Sequence, residues 1–310
     1  MKVSVVVPLY NKADTIMRAL HSVLSQTAPP DEIVVIDDGS TDASVDIVRS
    51  LRIGNLRLYS QENAGVSAAR NAGIRHARND WIAFLDADDE WKNDYLETIR
   101  DLHVHYPDSR VLATSYVYKD GDEEMVPAIC FPERVGIMRN YFKVASGGSP
   151  PLWTSAVTAH KQALLDVGCF SGEITIGEDL LVWAKLAHKF SIAYHNEPKS
   201  IYYFPLNVTV HSRLRHPDNH DLVYRELKKI YMDERRSDYR RYIRRYIGYW
   251  CKIRLHLFSF YREKKNALRE YLKLFRETPF NIKALALLLL AFSPGFIHEY
   301  AFNSLGNRMK

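Results

Sequence analysis

The stretch FLDADDEW (Phe84–Trp91) places Asp86, Asp88, Asp89 and Glu90 directly behind the apolar run Trp81–Leu85. Two carboxylates about 5 Å apart repel by roughly 3 kcal/mol at an effective dielectric near 20, and by about 1 kcal/mol in bulk water. A solvated turn tolerates that repulsion; a pocket needs a cation. In extended backbone alternate side chains share a side, so Asp86 and Asp88 could face one ion. Oxygen ligands suit Mg2+ or Mn2+, which commonly bridge to diphosphate oxygens. A DxD spacing alone is weak, and a solvated acidic turn explains it equally well.

Four further stretches carry polar residues at places where an apolar run stops. In VVVPLYN (5–11) Pro8 ends the run, and Tyr10 could stack its ring on a flat ligand such as a nucleobase. In IDDGSTDAS (36–44) a helix start with Ser40 or Thr41 as N-cap and Asp42 in the first turn accounts for the second half. It leaves Asp37 and Asp38, which could accept hydrogen bonds from a base N–H and from ribose hydroxyls. In ENAGVSAARNAGIRHARND (62–80) the small residues Ala68, Ala69, Ala72 and Gly73 permit close packing; Arg70 among them makes either a buried ion pair or a contact near a ligand. In IGEDLLVWAKLA (176–187) Glu178 and Asp179 open a helix, where its dipole favours acidic groups. Trp153 in PPLWTSA could stack on a sugar ring or belong to the core.

The elements that must position these residues alternate. Candidate strands are 3–8, 32–36, 56–59, 81–85 and 111–115, with candidate helices at 13–26, 42–51, 66–78 and 94–105. Nearly continuous apolar strands (VSVVV, EIVVI) require cover on both faces, and strand–helix alternation gives right-handed βαβ units in a mostly parallel sheet. Such sheets bind ligands beyond the carboxyl ends of their strands, where the residues above fall. Residues 119–151 have little periodicity and read as loop. Residues 180–188 read as helix.

The ordered set VVVPLYN, VVIDDGSTD, NAGVSAARNAGI, WIAFLDADD, VGCF and GEDLLVWAKLA, spanning about 3–219, resembles the family 2 glycosyltransferases. The resemblance implies an α/β fold of the GT-A type, Rossmann-like, with helices on both faces of the sheet, followed here by a helical C-terminal region. It implies an inverting enzyme that takes a hexose or N-acetylhexosamine from a nucleotide-diphospho-sugar, with UDP the best choice of nucleotide. Pro8 and Tyr10 then match the base pocket, Asp37 and Asp38 hold uracil and ribose, and Arg70 lines the donor site. Asp88 matches a direct ligand of Mn2+ or Mg2+, Asp86 a contact to ribose or the metal's water shell, and Asp179 the general base. His211 in NVTVHSR is a loosely matched third metal ligand. The processive members' QxxRW motif and transmembrane helices are missing, which implies addition of one sugar per encounter.

A chain of 310 residues with 46% apolar and 25% charged content is ordinary for a globular protein. It exceeds the usual size of one domain, so a catalytic domain over 1–212 and a helical region over 213–310 are expected. Cys130, Cys169 and Cys251 are scattered, which excludes a disulfide or zinc framework and fits a reducing compartment. MKVSVVVPLYNK lacks the shape of a signal peptide, and ALALLLLAF (284–292) is about half of a membrane span. Cytoplasmic residence, with peripheral attachment to the inner face of the cell membrane as an option, is the expectation.

Residues 213–277 hold 19 Lys and Arg against 9 Asp and Glu, a net charge of +10, so the rest of the +5 chain is net −5. Long Tyr/Arg/Lys-rich helical patterns there could form an ordinary cap or lie on an anionic bilayer. No nucleic-acid module is present. A glycan or lipid-linked glycan acceptor, in bacterial surface polysaccharide synthesis, follows from the resemblance alone. Two other functions remain: a catalytically silent, membrane-recruited binding module of the same fold, and a sugar nucleotidyltransferase, which would want a Gly-rich phosphate loop that VVVPLYNKADT lacks.

Overall fold

The computed structural model describes residues 1–203, 215–279, 281–295, 298 and 301. The chain runs β1 (Val3–Leu9), α1 (Ile16–Leu24), β2 (Glu32–Asp37), α2 (Ser44–Ser50), β3 (Leu56–Ser60), α3 (Val66–His76), β4 (Trp81–Phe84), β5 (Glu90–Trp91) and α4 (Tyr95–His105). There follow β6 (Val111–Asp120), β7 (Glu123–Met125), β8 (Val135–Ile137), α5 (Tyr141–Ala145), β9 (Val157–His160), α6 (Lys161–Asp166), α7 (Glu178–Lys189) and β10 (Ile192–Tyr203). The C-terminal region is α8 (Leu222–Asp233), α9 (Ser237–Phe260), α10 (Lys264–Glu277) and α11 (Ile282–Phe292).

One mixed sheet has the order β3-β2-β1-β4-β9-β6-β10-β5, with β7 on β6 and β8 on β10. The first four strands are parallel, and β9 runs antiparallel between β4 and β6. β1 is buried along its whole length, as a strand covered on both faces must be. Val3, Val5, Val7 and Leu9 join Ile16, Leu20 and Val23 of α1 and Leu96 and Ile99 of α4 in one hydrophobic cluster. Val6 belongs to the other, with Ala69 and Ala72 of α3. A Cβ on Gly73 would stand 2.2 Å from Val6 Cγ1, so the small-residue face of α3 allows a close approach to β1.

The second cluster continues from the sheet through Trp183 of α7 into Ile243, Trp250 and Leu255 of α9 and Ala284 of α11. The C-terminal helices therefore share a core with the sheet. The expected boundary between 212 and 213 lies outside the described residues. Among those helices Arg254 and Glu270 are both fully buried and paired at 3.4 Å, with Asp221 at 3.4 Å from the same guanidinium and Lys273 bridging Asp221 and Glu270.

Two expectations are corrected. The stretch 119–151 is not all loop, for it carries β7, β8 and α5. The second helix starts at Ser44 rather than 42, because Ser40 and Asp42 are used elsewhere. Ser40 Oγ accepts from the Asn11 N–H (3.0 Å) and Asp42 from the Ala13 N–H (3.0 Å), while the Asn11 amide oxygen accepts from the Thr41 N–H (2.8 Å). These bonds lock the loop after β1 to the loop after β2.

Candidate active site

The strand order reverses between β1 and β4, the switch point at which open α/β sheets bind ligands. A cleft of about 730 Å3 opens there. Pro8, Tyr10, Asp38, Arg70, Asp86 and Asp88, all singled out in the sequence, line it. Trp153 does too. Asp37 and Asp179 do not. His211 lies outside the described residues. Lys12, Asn63, Tyr202 and Arg215 also line the cleft, and so does Glu178, read above only as the opening of a helix.

Asp37 is buried at the end of β2, where its carboxylate accepts from the Ser40 N–H (2.9 Å) and fixes the turn. Asp38 is buried as well. Its Oδ1 accepts from the Gln61 amide (2.7 Å) and the Ala64 N–H (3.0 Å), and its Oδ2 from the Gly65 N–H (2.8 Å). It thereby tethers the loop that leads into α3. Tyr10, by contrast, is 47% exposed, with its ring free to meet a ligand.

The acidic corner is neutralised by two cations of the chain itself. Nη2 of Arg70 forks over both oxygens of Asp86 at 2.9 Å, and Nη1 reaches Glu178 at 3.3 Å. Burial opposes this charge, but Asp86 and then Glu178 hold the guanidinium above its ordinary pKa. Lys12 Nζ lies 2.6 Å from Asp88. Asp89 is buried with no such partner: Ser155 donates to its Oδ2, the Trp153 indole approaches that oxygen at 3.4 Å, and Oδ1 accepts no hydrogen bond among the described residues. Burial, then the charges of Asp86 and Asp88, push this carboxyl well above the usual carboxylate range.

A divalent cation fits this donor set. All donors are hard carboxylate oxygens, and Asp89 beside them keeps a buried Oδ1 with no hydrogen-bond partner among the described residues. Among the described residues no group of three or more His, Cys, Asp or Glu side chains forms a metal cage. Such a site suits an ion that keeps waters and completes its shell on a ligand's phosphates.

Facing this corner, α7 begins at Gly177, whose φ of +83° is a left-handed conformation natural to glycine. Its Cα rests on the Trp250 ring of α9: a Cβ there would lie 2.6 Å from the indole carbons. Trp250 is held by its Nε1–H donating to Asp221 at 2.9 Å, so the buried ion network of the C-terminal helices sets the height of the α7 N-terminus. Burial and the neighbouring Asp179 charge push Glu178 up to about 7, with Arg70 pulling the other way. Asp179 is also raised, by burial first, against the pull of Arg70. Its Oδ1 accepts from the Leu180 N–H at 2.7 Å, and among the described residues its Oδ2 meets only the Thr154 hydroxyl at 3.5 Å. On the remaining wall Trp153 and Tyr202 pack with ring centroids 4.4 Å apart.

Comparison with known proteins places this arrangement. The model of glycosyl transferase family 2 matches residues 4–164, more than half of the chain. The protein belongs to this family of GT-A glycosyltransferases. Among relatives, glycosyltransferase GlyA of Streptococcus pneumoniae is 37% identical over 123 residues, which is 39% of this chain and 18% of that protein. Succinoglycan biosynthesis protein ExoO of Rhizobium meliloti is 46% identical over 95 residues, 30% of this chain and 27% of that protein. The matches thus span under a third of either relative. In fold the chain is similar to S. aureus TarS, solved in complex with UDP-GlcNAc, with a TM-score of 0.71 at 21% identity over 93% of this chain and 84% of that one. Among the described residues no helix is long and apolar enough to cross a membrane.

Proposed function

We propose that the protein transfers a hexose or N-acetylhexosamine from a UDP-sugar to a glycan acceptor, with inversion at the anomeric carbon and one sugar per encounter. The observation that carries this reading is the cleft itself. It combines an exposed aromatic ring (Tyr10), an acid pair (Asp86, Asp88) and a buried Arg70 that ties the acid pair to the start of α7. A UDP-GlcNAc complex of a protein of similar fold supports a UDP-sugar donor, and the role of a relative in succinoglycan synthesis supports a bacterial surface polysaccharide; a lipid-linked glycan is the acceptor we propose.

In this reading Tyr10 stacks on the base over Pro8, and Asp38 keeps the adjoining loop in place for base and ribose. Asp37 supports the same pocket from beneath the turn. Asp88, with Asp86 beside it, would hold Mn2+ or Mg2+, whose charge stabilises the departing diphosphate. Lys12, now on Asp88, is placed to exchange that carboxylate for a phosphate oxygen. Asp179 removes the acceptor hydroxyl's proton as that oxygen attacks the anomeric carbon and the bond to the diphosphate breaks. An in-line displacement converts an α-linked donor into a β-linked product. One fact favours Asp179 over Glu178 as the base: Glu178 is engaged by Arg70, whereas among the described residues Asp179 has one oxygen with only a weak hydroxyl contact. The face of Trp153 supplies a platform for the acceptor sugar.

Release of UDP from a panel of UDP-sugars, with Mn2+ and with EDTA, tests the reading. Release that needs both acceptor and metal supports it. Release of pyrophosphate instead would mark nucleotidyl transfer, and no turnover with any donor would mark a binding module.

A further inference from the structure

The outer faces of α10 and α11 are built unlike the rest of the molecule. Between residues 264 and 292 the acidic side chains are Glu270 and Glu277, and both are buried. Glu270 meets Arg254 and Lys273, and Glu277 meets Lys228 and Arg244. The exposed charges of this segment are therefore all positive: Lys264, Lys265, Arg269, Arg276 and Lys283. Interleaved with them stand large apolar residues that the fold leaves in water. On α11 these are Ile282 (82% exposed), Leu285, Leu289 (62%) and Phe292, at the 3–4 spacing of one helical stripe. On α10 they are Leu268, Leu272 and Phe275. Lys264 Nζ lies 5.7 Å from the Phe292 ring centroid, so cationic and apolar groups meet at the edge shared by the two helices. Arg244 donates to the Arg276 carbonyl at 2.5 Å, which joins the patch to a groove lined by Arg240, Arg241 and Arg245 on α9.

We infer that this face docks on an anionic lipid bilayer. Aliphatic and aromatic side chains projecting from helices whose exposed charges between residues 264 and 292 are positive complement the boundary between acidic headgroups and acyl chains. A nucleic acid would use the cations and leave Ile282, Leu285 and Leu289 in water. A second copy of the chain would set like charges against each other. The inference goes beyond the proposed transfer reaction and does not depend on it, because docking needs no donor.

The test is flotation of the full chain with phosphatidylcholine vesicles containing or lacking phosphatidylglycerol, without nucleotide. Binding is expected with the anionic vesicles and weakens as salt rises. Each surface Lys or Arg is worth about fivefold in affinity, so Lys264→Gln/Lys265→Gln/Arg269→Gln should bind roughly a hundredfold more weakly. Leu285→Gln/Leu289→Gln, altered only at exposed positions, should lose flotation while keeping its melting temperature and its UDP affinity. Equal flotation with both vesicle types, or unchanged flotation of both variants, overturns the inference. So does a dimer in light scattering that the leucine variant dissociates, or binding of duplex DNA that excludes the vesicles.

Discussion

Replacing Arg70 by Met removes the cation that holds the two halves of the cleft together. The guanidinium is 4% exposed, with two oxygens of Asp86 at 2.9 Å and one of Glu178 at 3.3 Å. Removing one partner of a buried ion pair costs about 3–5 kcal/mol, because the remaining charge stays out of water. Its Nε has no hydrogen-bond partner among the described residues, so some strain is relieved and the lower half of that range is expected. The melting temperature should fall by about 5–6 °C. The deficit depends on pH. Arg70 lowers the proton affinity of Glu178 and Asp179, both of which already stand above their ordinary values; without it they rise further. A carboxyl whose folded-state pKa is raised contributes stability that is complete below its unfolded value and is lost as pH climbs through the folded value. The gap between the Met variant and the natural protein is therefore smallest near pH 5 and widest near pH 8. Urea unfolding at pH 5, 7 and 8 measures it. A gap below about 1 kcal/mol at pH 8, or one that widens toward pH 5, would refute the reasoning.

Three other outcomes follow from the same geometry. Asp179→Asn should keep donor affinity within about twofold and reduce turnover by 100- to 10,000-fold, read from kcat and from titration with the nucleotide; undiminished kcat removes this residue from the chemistry. Glu178, pushed up to about 7 from 4.5, costs the protein about 3 kcal/mol of stability as pH rises from 4.5 through 7. Glu178→Gln should flatten that part of the stability profile, and an unaltered profile would show that the carboxyl titrates normally. Gly177→Ala places a methyl group 2.6 Å from the Trp250 ring at a φ of +83°, which costs about 2–4 kcal/mol by left-handed strain and overpacking together. It should lower kcat more than it raises the donor KM, and equal losses in both would deny the α9 support a role in setting Glu178 and Asp179.

Much of the catalytic half was readable because its signals are local. VSVVV and EIVVI can only be strands buried on both faces, and each polar cluster follows directly on such a run. Strands β1 to β4 fall within a residue or so of the expected bounds. Short strands such as β5, β7 and β8 are not legible, and neither is the longer, interior β10: its HNEPKS (195–200) hides, in polar and proline content, a strand that shifts register twice at Pro198. Nor could spacing reveal partners that meet only in space. Lys12 stands 76 residues before Asp88 and Arg70 stands 108 before Glu178. Glu178 reads as the opening of a helix because a glycine–acid–acid start explains itself locally; its place in the cleft depends on Trp250 in a helix that begins 59 residues later, at Ser237. Arg70, set among the small residues of α3, is the one sequence signal for that pairing, since a charge in a small-residue face must have a counter-charge.

The central claim is that the acid corner at the β1–β4 switch point holds a cation that grips a nucleoside diphosphate. Isothermal titration of the full chain with UDP tests it most directly. The account predicts uptake with Mn2+ that EDTA weakens at least about tenfold and that Asp88→Ala, with its fold intact, reduces to the metal-free level; a cation worth one strong charge-assisted contact supplies that much. Uptake that is equal in Mn2+ and EDTA, and unchanged by the alanine substitution, would contradict it.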